Sequence, residues 1–406
     1  MPGALDGIRV LDFTRHMAGP YATVALADHG ADVIKVESLP HGDHARTGGV
    51  YTVGDQSAVF LMWNRGKRSL AIDLRHCEGL DAVRRLIAGA DVLVENYRPG
   101  VADEIGIGYA AASTINPRLV YVAVSAFGPT GPLAPFPGTD PVIQAWSGVM
   151  SVTGETDGGP LLVGVPVADY TGSMLAVQAV ALALFARERT GRGQKVDVSM
   201  LGGLLAMLST RLANYWASGE DPQRMGSANS IYVPYQVFQT ADGYVMAGSF
   251  GGDSWPRFCV ALGLPELADD ERYVSNRSRF DHRDELIPVL QARFLERTTD
   301  GWEPSFREHG ALFAPVKTIA QILDHPQVAE LGLIGSVEHP TVGTIPQLGP
   351  PLAFSDTPAA LHRPPPLFGE HSREVLAQFD FAAAEIDELV SAGVVTDGSP
   401  GAAGDG

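Results

Sequence analysis

A single carboxylate, Asp169, interrupts the otherwise uncharged run "VGVPVADYTGSM" (163–174), immediately ahead of the apolar "LAVQAVALALFA". An aspartate is ionised at neutral pH without help from a base, so in such a place it can act as a nucleophile toward an acyl group. It can equally be an N-cap for a helix expected to begin near Thr171, because free N–H groups and the helix dipole favour an acid there. The glycine-rich turn "GSFGGD" (248–253) presents N–H groups that could bind an oxyanion, or is simply a flexible loop. The turn "DFTRHMAGPY" (12–21) leads from a strand into a helix N-terminus, which is a seat for phosphate or a tight connection and nothing more. Arg65, Lys67, Arg68 and Arg75 could hold a polyphosphate or form a solvated face. Asn96 and Arg98 in "VENYRPGV" end a predicted strand, where open parallel sheets bind ligands, although these residue types also make ordinary turns.

Other chemistries find little support. Only Gly19 is available for the three-glycine dinucleotide fingerprint, so a nicotinamide cofactor is disfavoured although Glu37 sits where a ribose-binding acid would fall. There is no G-x-S-x-G elbow, and the two cysteines, Cys77 and Cys259, lie far apart in contexts that suggest neither activation, a disulfide nor zinc. His16, His41, His44, His76 and His282 lack metal-ligand spacing, so no metal site is expected.

The elements that must position these residues read as α/β. "IRVLDF", "PYATVALADHG" and "DVIKVE" form strand, helix and strand, and the alternation returns through "LDAVRRLIAGA", "DVLVENY", "RLVYVAVSAFG", "SMLAVQAVALALFARERTG" and "QKVDVSM". Such alternation predicts a Rossmann-like, doubly wound parallel sheet in a large domain whose N-terminal part spans 1–224. From 225 to 325 the texture, with two strands around "ADGY" and helices after them, predicts a smaller α+β domain. The Pro/Gly-rich segment 326–396 is expected to return to the large domain, and 397–406 to be a disordered tail.

At 406 residues, 45% of them hydrophobic, the chain can build one large and one small core. A formal charge of −18 argues against nucleic acid and anionic membranes as partners and requires any anionic ligand to be held by local cations and N–H groups. "MPGALDGIRV" has no basic region ahead of an apolar core, so no secretory signal is expected. The longest apolar run, roughly 175–186, is short of the ~20 residues that span a bilayer and reads as a buried helix. These features suit a cytoplasmic protein.

The order of "LDFTRHMAGPYAT", "GADVIKVE", "NRGKRSLAIDL", "DVLVENYRPGV", "NPRLVYVAVSAFG", "PVADYTGSM", "RTGRGQKVDVSML" and "PLFGEHSREVL" resembles the class III (CaiB/BaiF) CoA-transferases, the group of formyl-CoA transferase and carnitine CoA-transferase. The resemblance runs from about residue 5 to residue 395. It implies an interlocked homodimer of ring-shaped chains with CoA between the large and small domains. It also implies that Asp169 is the nucleophile, that His16, Met17, Ala18, Ile72, Asp73, Leu74, Arg75, Asn96, Tyr97 and Arg98 hold CoA, and that Gly251 and Gly252 lie over the reacting carbonyl. Coenzyme A and acyl-CoA are then substrates, with a free carboxylic acid as the other partner and no tightly bound cofactor. Ser38 and Glu104 replace CoA-binding arginines of formyl-CoA transferase, and Met17, Gly48 and Thr139 replace its glutamine, tryptophan and tyrosine around the small acid. Oxalate and formate fit this set less well than a larger acid, such as a dicarboxylate like succinate.

Two alternatives share the pattern. An α-methylacyl-CoA racemase-like enzyme needs a second proton carrier, and Thr139 stands where those enzymes place a histidine; a threonine hydroxyl cannot shuttle protons near pH 7. A non-catalytic acyl-CoA-binding protein would have no need of an accessible carboxylate at 169.

Overall fold

The computed structural model of the protein describes residues 2–398. Of the expected disordered tail, 399–406 lies outside the described residues, while Asp397 accepts an ion pair from Arg373 at 2.7 Å. The chain divides into two compact units, one of residues up to Gly148, Val163–Leu208 and those from Pro326 on, the other of Val149–Leu162 and Ser209–His325. Residues 149–162 and 209–224, assigned to the large domain in the sequence reading, thus pack with the second unit.

The first unit is built on β1 (Arg9–Asp12), β2 (Asp32–Ser38), β3 (Lys67–Ile72), β4 (Val92–Glu95), β5 (Val120–Ser125) and β6 (Lys195–Ser199). They lie in the order 3-2-1-4-5-6, all parallel, and Val395–Thr396 adds a short antiparallel edge to β3. This is the doubly wound order, in which the chain reverses direction between β1 and β4 and opens a crevice at their C-terminal ends. One face of the sheet, through Leu11, Ile34, Leu70, Leu93 and Tyr121, packs on helix Cys77–Ala88 and on Val375, Leu376 and Phe379 of the C-terminal segment.

The other face carries α1 (Ala18–Asp28) and a 24-residue helix, Val167–Thr190. That long helix buries Ala168, Gly172, Ser173, Ala176, Val180, Ala183 and Leu184, a stripe of mostly small residues at helical spacing that lets the two backbones approach closely. It is the one helix among the described residues long and apolar enough to cross a membrane by length and composition, with Leu182 and Phe185 exposed on its outer side. It starts at Val167, not near Thr171.

The second unit holds a three-stranded antiparallel sheet with β8 (Tyr244–Gly248) between β7 (Tyr235–Gln239) and β9 (Leu312–Pro315). Its core is aromatic, with Phe238, Phe258, Phe294, Trp302 and Phe306 fully buried in mutual contact.

Candidate functional site

The sheet's C-terminal edge gathers most of the residues singled out in the sequence. β1 ends in Asp12, whose fully buried carboxylate accepts from Thr14 N (2.9 Å), from the Thr14 and Thr23 hydroxyls, and from the Lys67 ammonium at 2.9 Å. Burial alone would raise its pKa, but the Lys67 and Lys35 charges and the two hydroxyls outweigh burial and bring it to about 2. Burial in turn pulls Lys67 down to about 8, with Asp12 opposing. Lys35, in the middle of β2 and wholly buried, donates to Thr14 O at 2.9 Å and pairs with Asp43 at 2.8 Å. Glu37 receives Arg46 and the Ser69 hydroxyl, and Arg46 lies 3.9 Å from the Phe60 ring. Lys35, Lys67 and Arg46 thereby face Asp12, Asp43 and Glu37, three charges of each sign.

The turn after β1 rests on this network. Asn96, which follows β4, takes both backbone groups of Arg15: Arg15 N donates to Oδ1 and Asn96 Nδ2 donates to Arg15 O, each at 2.8 Å. The next residue, His16, has φ of 62°, a left-handed conformation costly for a side chain with a Cβ. Its N–H donates to Asp43 at 3.1 Å, and its exposed ring stacks on His44. Gly19 is required by closeness, since a Cβ there would sit 2.3 Å from the Thr14 side chain.

Met17 and Ala18 are buried where the turn enters α1. Ala18 O accepts the Ser173 hydroxyl at 2.6 Å, one turn along from Asp169, and the Tyr21 and Tyr170 rings lie 5.3 Å apart. The turn and the start of the long helix are therefore neighbours.

Asp169 occupies the third position of that helix, whose N-cap is Pro166, so it is not the cap. Asp140, the first residue of helix Asp140–Ser147, does the capping from outside. Its Oδ1 accepts from Ala168 N at 2.6 Å and Asp169 N at 3.3 Å, while its Oδ2 accepts from Gln144 Nε2 at 2.6 Å. Gln144 in turn accepts from Val163 N at 3.0 Å. Among the described residues the Asp169 carboxylate accepts no hydrogen bond. Burial, and after it the like charge of Asp140, raises its pKa to about 6.

Asp73, Leu74 and Arg75, after β3, line a cavity of about 640 Å³ with Arg15, Ser38 and Glu104. Arg15 donates to Ser38 Oγ at 2.8 Å and lies over the Tyr97 ring. Ile72 is fully buried in the core, so its side chain cannot meet a ligand. Arg98 lines a separate cavity of about 180 Å³, where burial pushes Glu95 up to about 7. Gly251 and Gly252 belong to the second unit, in the loop between β8 and helix Ser254–Leu262. Their φ values are 67° and 49°, and no atom lies within 4 Å of where either Cβ would stand. Among the described residues no group of three or more His, Cys, Asp or Glu is placed to hold a metal ion.

Sequence reading missed Asp140, Gln144, Lys35 and Asp43. For Lys35 a signal existed, a charge inside the apolar strand "DVIKVE". For Asp140 there was none, because its partner lies 28 residues away.

Residues 5–372 match the model of CoA-transferase family III. The chain is 38% identical over 392 residues to a human protein named succinyl-CoA:glutarate CoA-transferase, covering 96% of this chain and 90% of that one. It is 39% identical over 334 residues to an Acetobacter aceti protein named acetyl-CoA:oxalate CoA-transferase, covering 82% and 85%. Among solved structures, a CaiB/BaiF family protein from Brucella suis superimposes with a TM-score of 0.81 at 37% identity, covering 94% of this chain and all of that one.

Proposed function

The chain belongs to CoA-transferase family III and is an enzyme that moves CoA between an acyl-CoA thioester and a free carboxylic acid; on that premise we propose that Asp169 is its nucleophile. The observation that carries this reading is the state of that carboxylate. Asp140 has taken over the capping, and among the described residues the Asp169 oxygens accept no hydrogen bond that would blunt them. With a pKa of about 6 the group is ionised for the most part at pH 7. It is also more basic than an ordinary aspartate.

In the proposed path the Asp169 carboxylate attacks the thioester carbonyl carbon, the C–S bond breaks and CoA thiolate leaves, giving a mixed anhydride. The thiolate then attacks the aspartyl carbonyl and expels the donor acid, leaving an aspartyl-CoA thioester. The acceptor carboxylate attacks that carbonyl, releasing thiolate and forming the second anhydride. Attack of the thiolate on the acceptor's acyl carbon completes the new thioester and frees Asp169. No net proton moves, so the site must supply proximity, exclusion of water and oxyanion donors. Gly251 and Gly252 are assigned as those donors, supported by their left-handed backbone and the open space around them. The segments 16–18, 72–75 and 96–98 are assigned to CoA, Ile72 through its backbone only.

The acid is assigned as a dicarboxylate, supported by relatives named for succinyl-CoA, glutarate and mesaconate. The working form is assigned as an interlocked homodimer, in keeping with the resemblance to class III CoA-transferases, and the compartment as a reducing cytoplasm, in keeping with Cys77 and Cys259 standing apart as free thiols. The racemase alternative gains no observation here: Thr139 N-caps helix Asp140–Ser147 through its backbone and offers no imidazole. The deciding experiment incubates the protein with succinyl-CoA and glutarate and quenches with hydroxylamine or borohydride. A mass change on the peptide containing "VADYTGSM" supports the assignment, and an unmodified peptide during demonstrated turnover overturns it.

A further inference from the structure

Three side chains outside the bond-making steps, buried Lys35 and Asp43 and half-buried Asn96, converge on one short turn. Lys35 holds the carbonyl of Thr14, Asn96 holds both backbone groups of Arg15, and Asp43 holds the N–H of His16. Three consecutive residues are thus pinned by side chains from β2, the loop after β2, and the segment after β4. The Lys35–Asp43 ion pair, at 2.8 Å and shielded from solvent, joins two of the three pins into one unit. Asp43 also caps the short helical turn His44–Arg46 through Ala45 N at 2.9 Å, which fixes where its carboxylate points.

Such a pair is not explained by stability alone, because two apolar residues of similar volume often serve a core as well or better. What apolar residues cannot do is hold a carbonyl and an amide at opposite ends of a strained turn. His16 at φ 62° is the strained residue, and an unfavourable conformation persists only where its surroundings over-determine it. The turn ends at Ala18, whose carbonyl is fixed by Ser173 on the helix that carries Asp169.

We propose that Lys35 and Asp43 are positioning residues for CoA transfer: their buried ion pair holds residues 14–18 in the left-handed turn that presents backbone to acyl-CoA beside Asp169. The proposal rests on the assignment of that turn to CoA. A merely structural pair would show itself as lost stability, with no selective effect on the turn and no relief from removing the strain at His16.

The test uses the full-length protein and reads two things. Hydrogen–deuterium exchange of the unliganded protein follows the amides of 14–18 against those of Val167–Thr190. Steady-state kinetics with succinyl-CoA and glutarate separate KM from kcat. For Asp43→Asn the turn's amides should exchange at least about tenfold faster while the long helix is unchanged, and the KM for succinyl-CoA should rise about tenfold with kcat within about threefold. Adding His16→Gly, which adopts a left-handed φ without steric cost, should bring the raised KM most of the way back to that of His16→Gly alone. If Asp43→Asn does not fold, the charge-free pair Lys35→Met with Asp43→Leu keeps the volume and should show the same exchange and KM effects. Unchanged exchange in a folded variant, a fall in kcat with KM intact, or a KM defect that His16→Gly does not relieve would each overturn the proposal. Exchange is read without substrate, so its outcome is independent of whether Asp169 is the nucleophile. The trapping experiment decides that separately.

Discussion

The turn 14–18 of the first unit and the loop 249–253 of the second both follow a strand's C-terminal end, both lead into a helix and both contain left-handed backbone, yet they are held by opposite means. The first reaches φ of 62° at a histidine, and buried charges on Lys35 and Asp43 plus the Asn96 amide keep it there. The second reaches φ of 67° and 49° at glycines, which need no enforcement, and closes on itself through Ser254, whose N–H and hydroxyl both donate to Gly251 O. A conformation that side chains resist is obtained in one place by surroundings and in the other by residue type. The first arrangement is rigid and intolerant of charge changes; the second is intolerant of a Cβ.

The largest effect expected lies at the residue beside the pinned turn. Asp169→Asn substitutes a neutral amide for the nucleophile, and CoA exchange should fall by about three orders of magnitude or more while acyl-CoA binding by calorimetry is retained. Near-wild-type turnover, after mass spectrometry excludes deamidation back to aspartate, would return the residue to a structural role. Next comes the contrast itself. Gly252→Ala places a Cβ on a residue at φ 49° with open space around it, so packing is untouched and only the backbone is strained. Turnover should drop about tenfold, with thermal stability lowered by about 1 kcal/mol.

A smaller effect appears in the pH profile. Burial and Asp140 put the Asp169 pKa at about 6, so kcat/KM should decline below that pH. Asp140→Asn removes the like charge while leaving an acceptor for the Ala168 and Asp169 amides, and should move the inflection to lower pH. An inflection that stays put would assign the whole rise to burial.

The smallest effect is on stability. Because the folded pKa of Asp169 lies above its unfolded value of 3.8, the native state binds the proton more tightly, and this group's contribution to stability falls as pH rises from about 4 to about 6. Asp169→Asn should therefore be more stable than wild type by on the order of 1 kcal/mol at pH 8, with the difference vanishing below pH 4 in denaturant titrations. Asp12 has the opposite sign. Its pKa of about 2 contributes stability that is present above pH 4 and lost as pH falls toward 2.

Much of this molecule was determined by its sequence alone. The repeated alternation of apolar strands with helical segments specifies a parallel α/β sheet, and a glycine-rich turn or a lone acid in an apolar run is visible without coordinates. Even the left-handed glycines of "GSFGGD" are local properties, since glycine's backbone freedom belongs to the residue. What only tertiary structure decided is which charge meets which. Asp140 and Asp169 are both good caps by type, and only folding, which brings residue 140 to the amides of 168 and 169, shows that one caps and the other accepts no hydrogen bond among the described residues. His16 by itself predicts an ordinary turn residue. Its φ is imposed by Asp43, 27 positions on, and by a network of two buried lysines, the half-buried Arg46 and three buried acids drawn from β1, β2, β3 and the loop after β2. The physical reason is range: backbone preference acts over a few neighbouring residues, whereas hydrogen bonds and buried charges act over a few ångströms of space. The chain's order in sequence does not reveal which residues those ångströms contain.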